Sequence, residues 1–369
     1  MRRFERIYDV VEPVEEYRRG GYHPVHLGDV FNERYKAIGK IAFGQFSTVW
    51  LAKDKRTQQQ VTLKILKADA SKDSRELSTL LRLSSRYLGH PGKMHVLELL
   101  DHFEHHGPNG THLCLVLPVM ISDGAGMTVT MTSHSADYVR AISKQILFGL
   151  DFLHRLGIIH CDLQPANIMF SLAGVNELDL DPPEFSPVRW LEGVQADDSA
   201  PEYLIPSQRR RGQLDGADPH TLFVKIGDLG GAVWSSQHDQ WPVTPRALRP
   251  PELICRDTWE ANIDLWTLGC TIFELATNEP LFPIGTFGLS AEQIDREHSR
   301  LIEQIFGNDG QTNERFTKHV EDRLPPDFGI KNIQRLSWLL LSMLQISPEK
   351  RMSAAQLLDH IFLEGVPES

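Results

Sequence analysis

The feature that most narrows the possible folds of this chain is a change of hydrophobic period near Met120. Before it, "RYKAIGKIAFGQFSTVWLAKD" alternates in strand fashion around glycines, "QQQVTLKILK" is rich in β-branched residues, and "HLCLVLPVM" is an apolar run of strand length. Only "SRELSTLLRLSSRYL" interrupts them, as an amphipathic helix. After Met120 the apolar residues recur three and four apart. "SADYVRAISKQILFGLDFLHRLG" opens on Ser135 as a cap and stops at Gly157. "DLWTLGCTIFELATN" is apolar nearly all round, which predicts a helix buried on every side, and "IQRLSWLLLSMLQ" and "SAAQLLDHIF" add two more. Such a chain divides into a β-rich part and a helical part, and 369 residues suffice for a core in each.

One segment fits neither pattern. From about Ser171 to His220 the chain is proline-rich, mixed in charge and without period, which marks an insertion or a partly disordered loop. Hydrophobic residues make up 41% and charged residues 24%, a globular balance. The 38 basic residues against 49 acidic ones give −11, which argues against a general nucleic-acid or membrane binder and suits a basic partner. Cys114, Cys161, Cys255 and Cys270 lie far apart, without the spacing of a zinc site or disulfide framework. The charged first residues do not resemble a secretory signal and no run of about 18 apolar residues occurs, so a soluble intracellular protein is expected.

Four motifs carry chemistry. In "IAFGQFSTVWLAKD", a strand–turn–strand around glycine lets backbone amides approach nucleotide phosphates; Ala42, Gly44 and Ser47 take the glycine places of G-x-G-x-x-G-x-V, and Val49 the valine. Lys64 in "VTLKIL" is suited to phosphate oxygens, and Glu76 in the following helix pattern can hold it in place. His160-Cys161-Asp162-Leu163-Gln164-Pro165-Ala166-Asn167 matches H-R-D-x-x-x-x-N, an acceptor of the substrate proton five residues before a metal-holding amide. Asp228-Leu229-Gly230 puts a carboxylate after a short strand, placed to chelate Mg²⁺. Each piece alone has a bland reading as hairpin, surface pair or turn; their order does not.

That order is the order of the protein kinases. "RPPELI" then puts Glu252 where the A-P-E glutamate belongs, Arg351 in "SPEKRMS" becomes its expected buried partner, and Asp264 opens the buried helix that supports the catalytic loop. From about Tyr35 to Phe362 the chain resembles a eukaryotic protein kinase, and within the CMGC group the SR-protein kinases. "EEYRRGGYHPVHLGDVFNERY", "FSTVWLA" and "VKIGDLGGAVW" are similar to that family's stretches, as is an insertion before the D-x-G triplet. The resemblance implies an α+β, two-lobed kinase fold, with a small antiparallel β lobe and a larger, mostly α-helical lobe. The implied division is an extension over 1–34, an N-lobe over 35–120, a C-lobe over 121–362 containing the insertion at about 171–222, and a tail over 363–369.

It also implies the site. ATP would lie between the lobes, under Ile41, Ala42, Phe43, Gly44, Gln45, Phe46, Ser47, Thr48 and Val49. Leu117 would guard its back pocket, the Met120 backbone would meet the adenine, and Lys64, held by Glu76, would position the phosphates. Asn167 and Asp228 would hold Mg²⁺, and Asp162 would orient a serine hydroxyl. The implied substrate is a basic, Arg/Ser-rich protein such as a splicing factor, docked by Asp295 and Glu297, with Gln304 where a further carboxylate would stand. A monomer in cytoplasm and nucleus is expected, binding neither membrane nor nucleic acid directly.

Three departures bear on activity. Gln164 stands where the family has a lysine, so the transferring phosphate loses one charge, a loss of about 10²–10³ in rate. Pro245 takes the place of an activation-segment threonine, with Thr244 one residue early. Cys161 replaces an arginine that reads loop phosphorylation, a replacement the SR-protein kinases share. An active serine kinase is expected, with a pseudokinase scaffold as the alternative; Glu252, Arg351 and the "DLWTLG" helix argue against a small-molecule phosphotransferase. His95, His102, His105 and His106 read as surface histidines rather than a metal site, and Arg209 to Arg211 are too few charges for an import signal.

Overall fold

Alternating apolar residues between Val30 and Leu117 build a six-stranded antiparallel sheet in the computed structural model, which describes residues 2–85, 89–128, 134–210, 212–237, 240–285, 288–307 and 312–365. Its strands are β1 (Val30–Phe31), β2 (Tyr35–Phe43), β3 (Ser47–Asp54), β4 (Gln60–Leu66), β5 (Asp101–Gly107) and β6 (Gly110–Leu117), in spatial order β1-β2-β3-β4-β6-β5. The inward residues Ala37, Trp50, Leu63, Ile65, Cys114 and Val116 form one buried cluster. Two helices, α1 (Ala68–Ser71) and α2 (Arg75–Ser85), follow β4.

The chain separates into two compact units. The first takes in Met1–Tyr87, Leu97–Ile121 and Gly174–Gln213; the second takes in Leu88–Val96, Ser122–Ala173 and Leu214–Ser369. The division corrects one expectation. The resemblance implies an insertion within the C-terminal lobe, whereas residues 174–213 pack with the N-terminal sheet and the extension before it. The Phe4 ring packs on Trp190 at a tilt, centroids 4.3 Å apart, Ser186–Pro187 pairs antiparallel with Tyr203–Leu204, and the Gln208 backbone N–H donates to the Lys40 carbonyl of β2 at 2.9 Å. A segment without hydrophobic period is thus ordered by an edge supplied elsewhere. Of the three arginines at 209–211, Arg210 is spent on Asp179 and Asp181, and Arg211 lies outside the described residues.

A buried ion pair fixes the extension to the same strand. Lys40 Nζ donates to Glu12, both side chains fully shielded, and Tyr17 Oη donates to Glu12 Oε1 at 2.5 Å. Burial pulls the Lys40 ammonium below its usual range, and Glu12 opposes that.

The second unit holds β7 (Ser122–Asp123), β8 (Ile158–Ile159), β9 (Ile168–Leu172), β10 (Leu222–Ile226) and β11 (Val233–Trp234). β9 pairs antiparallel with β10 and β7, and β8 with β11. Around them stand α3 (Gly124–Thr128), α4 (Ala136–Arg155), α5 (Pro251–Cys255), α6 (Asn262–Thr277), α7 (Ala291–Phe306), α8 (Thr312–Glu321), α9 (Ile330–Met343) and α10 (Ala354–Leu358). The Ser135 hydroxyl caps α4 by accepting from the Tyr138 N–H, and α6 is buried along nearly its whole length, both as the sequence leads one to expect. No described helix is long and apolar enough to cross a membrane.

The histidines need a correction. His95 is fully buried, with Nδ1 2.9 Å from the Val224 carbonyl, and His105 is half-buried against His23 at 4.5 Å; His102 and His106 are exposed as expected. No described group of three acidic, cysteine or histidine side chains could hold a metal ion.

Two predictions follow from the buried polar groups of the first unit. Lys40→Met alone strands Glu12 and should destabilise by roughly 3–5 kcal/mol, whereas Glu12→Leu with Lys40→Met should restore most of the loss; chemical denaturation of both variants checks this. Burial also lowers the His23 pKa to about 3, with His105 and His112 adding to the effect. The unfolded chain, with its His near 6.5, binds that proton first, so stability is complete above about 6.5 and is lost as pH falls toward 3. The denaturation midpoint should drop between pH 7 and pH 5, and drop less in His23→Leu.

Candidate active site

In the first unit, Lys64 sits mid-sheet on β4, paired to Val49 of β3 on one side and Leu115 of β6 on the other. Two neighbouring strands hold its backbone, so only the side chain needs a partner. Nζ donates to both Glu76 carboxylate oxygens at 2.8 Å, the glutamate standing in the first turn of α2. The β2–β3 turn is tight, with the Gly44 N–H donating to the Ser47 carbonyl at 2.8 Å. A Cβ on Gly44 would meet nothing, and Phe46 is exposed at its tip. The run from Ile41 through Val49 is therefore a hairpin over which a phosphate can approach backbone. Ser47 and Thr48 are buried, and the Trp50 indole donates to Thr48 Oγ1 at 3.1 Å. Leu117 and Met120 are buried at the end of β6 and just beyond it.

In the second unit the loop from β8 to β9 is hung on one carboxylate. Asp264, fully buried in the first turn of α6, accepts from the backbone N–H of His160 at 2.7 Å and of Cys161 at 2.9 Å. His154 Nε2 lies 2.9 Å from the same carboxylate. His160 then links two motifs: its Nδ1 accepts from the Asp162 N–H at 3.2 Å, so Nε2 carries the proton donated to the Gly227 carbonyl at 2.9 Å, one residue before Asp228. Cys161 and Asp228 both adopt left-handed backbone, φ +64° and +53°, a conformation costly for residues with a Cβ and concentrated at functional sites. Cys161 is buried, and burial pushes its thiol well up, which disfavours the thiolate.

The Asp162 carboxylate is held at both oxygens. Gln164 Nε2 donates to Oδ1 at 2.9 Å, and Asn167 Nδ2 donates to Oδ2 at 2.9 Å and to the Asp162 carbonyl at 2.8 Å. Burial raises this carboxyl above the ordinary range, against the pull of His160 and the two amide donors, and Asp228 nearby adds to the rise. Thr244 does not stay uncommitted: it is buried and its hydroxyl donates to the Cys161 carbonyl at 2.7 Å, while Pro245 begins the next turn. Glu252 and Arg351 form the expected buried, two-point pair at 2.6 and 2.8 Å. Asp295 lies 3.3 Å from Arg246, and Glu297 is exposed and paired to Arg300 of its own helix at 2.7 Å.

The donor set suits a hard divalent cation. Because the Asn167 NH₂ faces Asp162, its Oδ1 is the end left for a metal, and Asp228 adds a carboxylate held by the Gly230 N–H at 3.4 Å; both are oxygen ligands.

Residues 35–181 and 207–363 match the protein kinase domain family. Serine/threonine-protein kinase SRPK of Physarum polycephalum is 33% identical over 401 aligned residues, 96% of this chain and 92% of the relative. Protein kinase dsk1 of Schizosaccharomyces pombe is 29% identical, covering 92% and 78%. SRSF protein kinase 3 of Mus musculus is 25% identical, covering 95% and 90%. The chain belongs to the SR-protein kinases. This SR-protein kinase has the two-lobed α+β fold of its family, is a protein serine/threonine kinase, and uses ATP with a divalent metal ion.

Thr244, one residue early in the sequence, does reach the catalytic loop, whereas sequence reasoning missed three long-range bonds: His154 to Asp264, the Cys161 carbonyl as the acceptor that Thr244 finds, and Thr271 Oγ1 donating to the Leu163 carbonyl at 3.1 Å. All three are long-range contacts with no local signature. Asp264→Asn should keep the fold yet turn an NH₂ toward backbone donors. A fall in kcat of roughly tenfold to a hundredfold is expected, with thermal unfolding still cooperative, measured by steady-state kinetics and calorimetry.

Proposed function

We propose that this kinase transfers the γ-phosphate of ATP to serine in Arg/Ser-rich proteins, splicing factors among them, with Mg²⁺ as the metal ion. The observation that carries the reading is the Asp162 carboxylate, held at one oxygen by Gln164 and at the other by Asn167. A base held at both ends presents a fixed lone pair to the incoming hydroxyl, and its raised proton affinity suits it to take the proton as the O–P bond forms. Asn167 and Asp228 would hold Mg²⁺, which would supply positive charge to offset that of the phosphates. Lys64, kept extended by Glu76, would position the phosphates from the sheet side.

Gln164 does half of what a lysine does there. It keeps a donor on Asp162 but brings no positive charge to the γ-phosphate, so positioning survives while electrostatic stabilisation is reduced. Substrate class rests on the family and on charge. One relative is named an SRSF protein kinase, and Asp295 and Glu297 already hold Arg246 and Arg300. A substrate arginine would exchange for one of these.

Purified wild type, Asp162→Ala and Gln164→Lys, given Mg·ATP and an Arg-Ser repeat peptide, test the reading. Wild type should transfer phosphate, Asp162→Ala should lose it, and Gln164→Lys should be faster by about tenfold or more. Wild type that binds ATP but transfers none would leave a scaffold in place of an enzyme.

A further inference from the structure

The insertion is fastened to the nucleotide-binding hairpin at one short stretch, and that stretch reads "SQRRR". Ser207 Oγ donates to the Ile41 carbonyl of β2. Next to it, Gln208 makes a two-point contact with Lys40: its backbone N–H donates to the Lys40 carbonyl at 2.9 Å, and its Oε1 accepts from the Lys40 N–H at 2.8 Å. Gln208 Nε2 donates back to Asp181 within the insertion at 2.8 Å. The Leu180 side chain packs over Gly39, where an added Cβ would come within 2.2 Å of its terminal methyl, so the insertion lies close against β2.

Gln208 is buried, but Ser207 is exposed, in irregular backbone directly after Pro206. A kinase takes its acceptor residue in extended chain. The described serines followed at once by arginine, Ser74, Ser85 and Ser299, fit that less well, since Ser74 leads into α2, Ser85 is its last residue and Ser299 lies within α7.

We propose that Ser207 is an autophosphorylation site of this kinase, and that its phosphate unfastens the insertion from β2. The inference rests on the serine, arginine-directed reading of the activity given above. Ser207 Oγ attacks the γ-phosphorus of ATP: the new Oγ–P bond forms, the bond from the γ-phosphorus to the bridging oxygen breaks, ADP leaves, and the hydroxyl proton passes to Asp162 and then to water. The product has lost the donor that Ile41 accepts from and puts an anion of about −2 against a carbonyl oxygen. The repulsion falls on the residues that lead into Ala42 and Gly44, so the hairpin loses its brace and ATP is held less well.

The test incubates the full chain with Mg·ATP, maps the phosphate by fragment-ion mass spectrometry, and measures the KM for ATP of Ser207→Ala and Ser207→Asp. Phosphate on Ser207 is expected in wild type and absent in Asp162→Ala. Ser207→Asp should raise the KM for ATP by roughly tenfold and leave the KM for an Arg-Ser peptide unchanged, while Ser207→Ala, which loses one hydrogen bond, should change either by less than about threefold. A preparation that phosphorylates the peptide but never Ser207 overturns the site and leaves the function standing. Transfer to neither overturns both. Phosphate on Ser207 with an unaltered KM for ATP in Ser207→Asp overturns the unfastening.

Discussion

Most of the catalytic unit depends on one buried carboxylate. Asp264 is out of reach of water, and a charge in that position is tolerable only if its oxygens are occupied. They are occupied by backbone donors of His160 and Cys161 and by the His154 ring. Those bonds settle the path of the catalytic loop: two successive N–H groups must converge on one side chain, and Cys161 accepts a left-handed conformation to let them. Asp162 is then presented by a backbone that cannot relax without stranding the charge beneath it. Hence α6 is apolar all round, since a carboxylate held this way needs a dry, packed setting to keep its bonds strong.

Above that support, Asp162 is a balance of opposing effects. Burial favours its protonated form, while His160, Gln164 and Asn167 favour the carboxylate. Gln164 supplies a donor without a charge, so the carboxylate remains oriented while burial keeps its proton affinity raised. Thr244 closes the other side by bonding the Cys161 carbonyl. The segment before Pro245 is thereby tied to the loop that carries Asp162, by a backbone acceptor.

The N-terminal unit uses the same economy of attachment on a different element. β2 is gripped by the extension through the Glu12–Lys40 pair and by the insertion through Gln208, on adjacent backbone and side-chain groups of one residue. Two segments distant in sequence thereby act on the strand that leads into the Gly44 hairpin. The two segments also share a small apolar cluster, in which Tyr17 and Tyr22 of the extension pack on Leu204 of the insertion, with Val14 and Val188 against them, so their order comes from this cluster and from the sheet together.

The elements were legible because each is specified locally. Period two marks the sheet, period 3.6 and the Ser135 cap mark α4, and the chemistry of Lys64, Glu76, Asp162, Asn167 and Asp228 is carried by residue type at short spacing. Glu252 and Arg351 were legible only through the family, since nothing local joins residues so far apart. The histidines of the β5 region and His95 show the opposite case: identical side chains end up exposed or fully buried according to what the sheet and the helices bring against them. The sequence by itself determined the class of fold, the order of the motifs and the loss of a charge at Gln164, because these depend on composition and near neighbours. Which unit the insertion joins, what Thr244 bonds and which oxygen of Asp162 each amide holds were decided only by tertiary structure. Those outcomes turn on hydrogen-bond geometry between residues that the chain brings together only after its cores have formed.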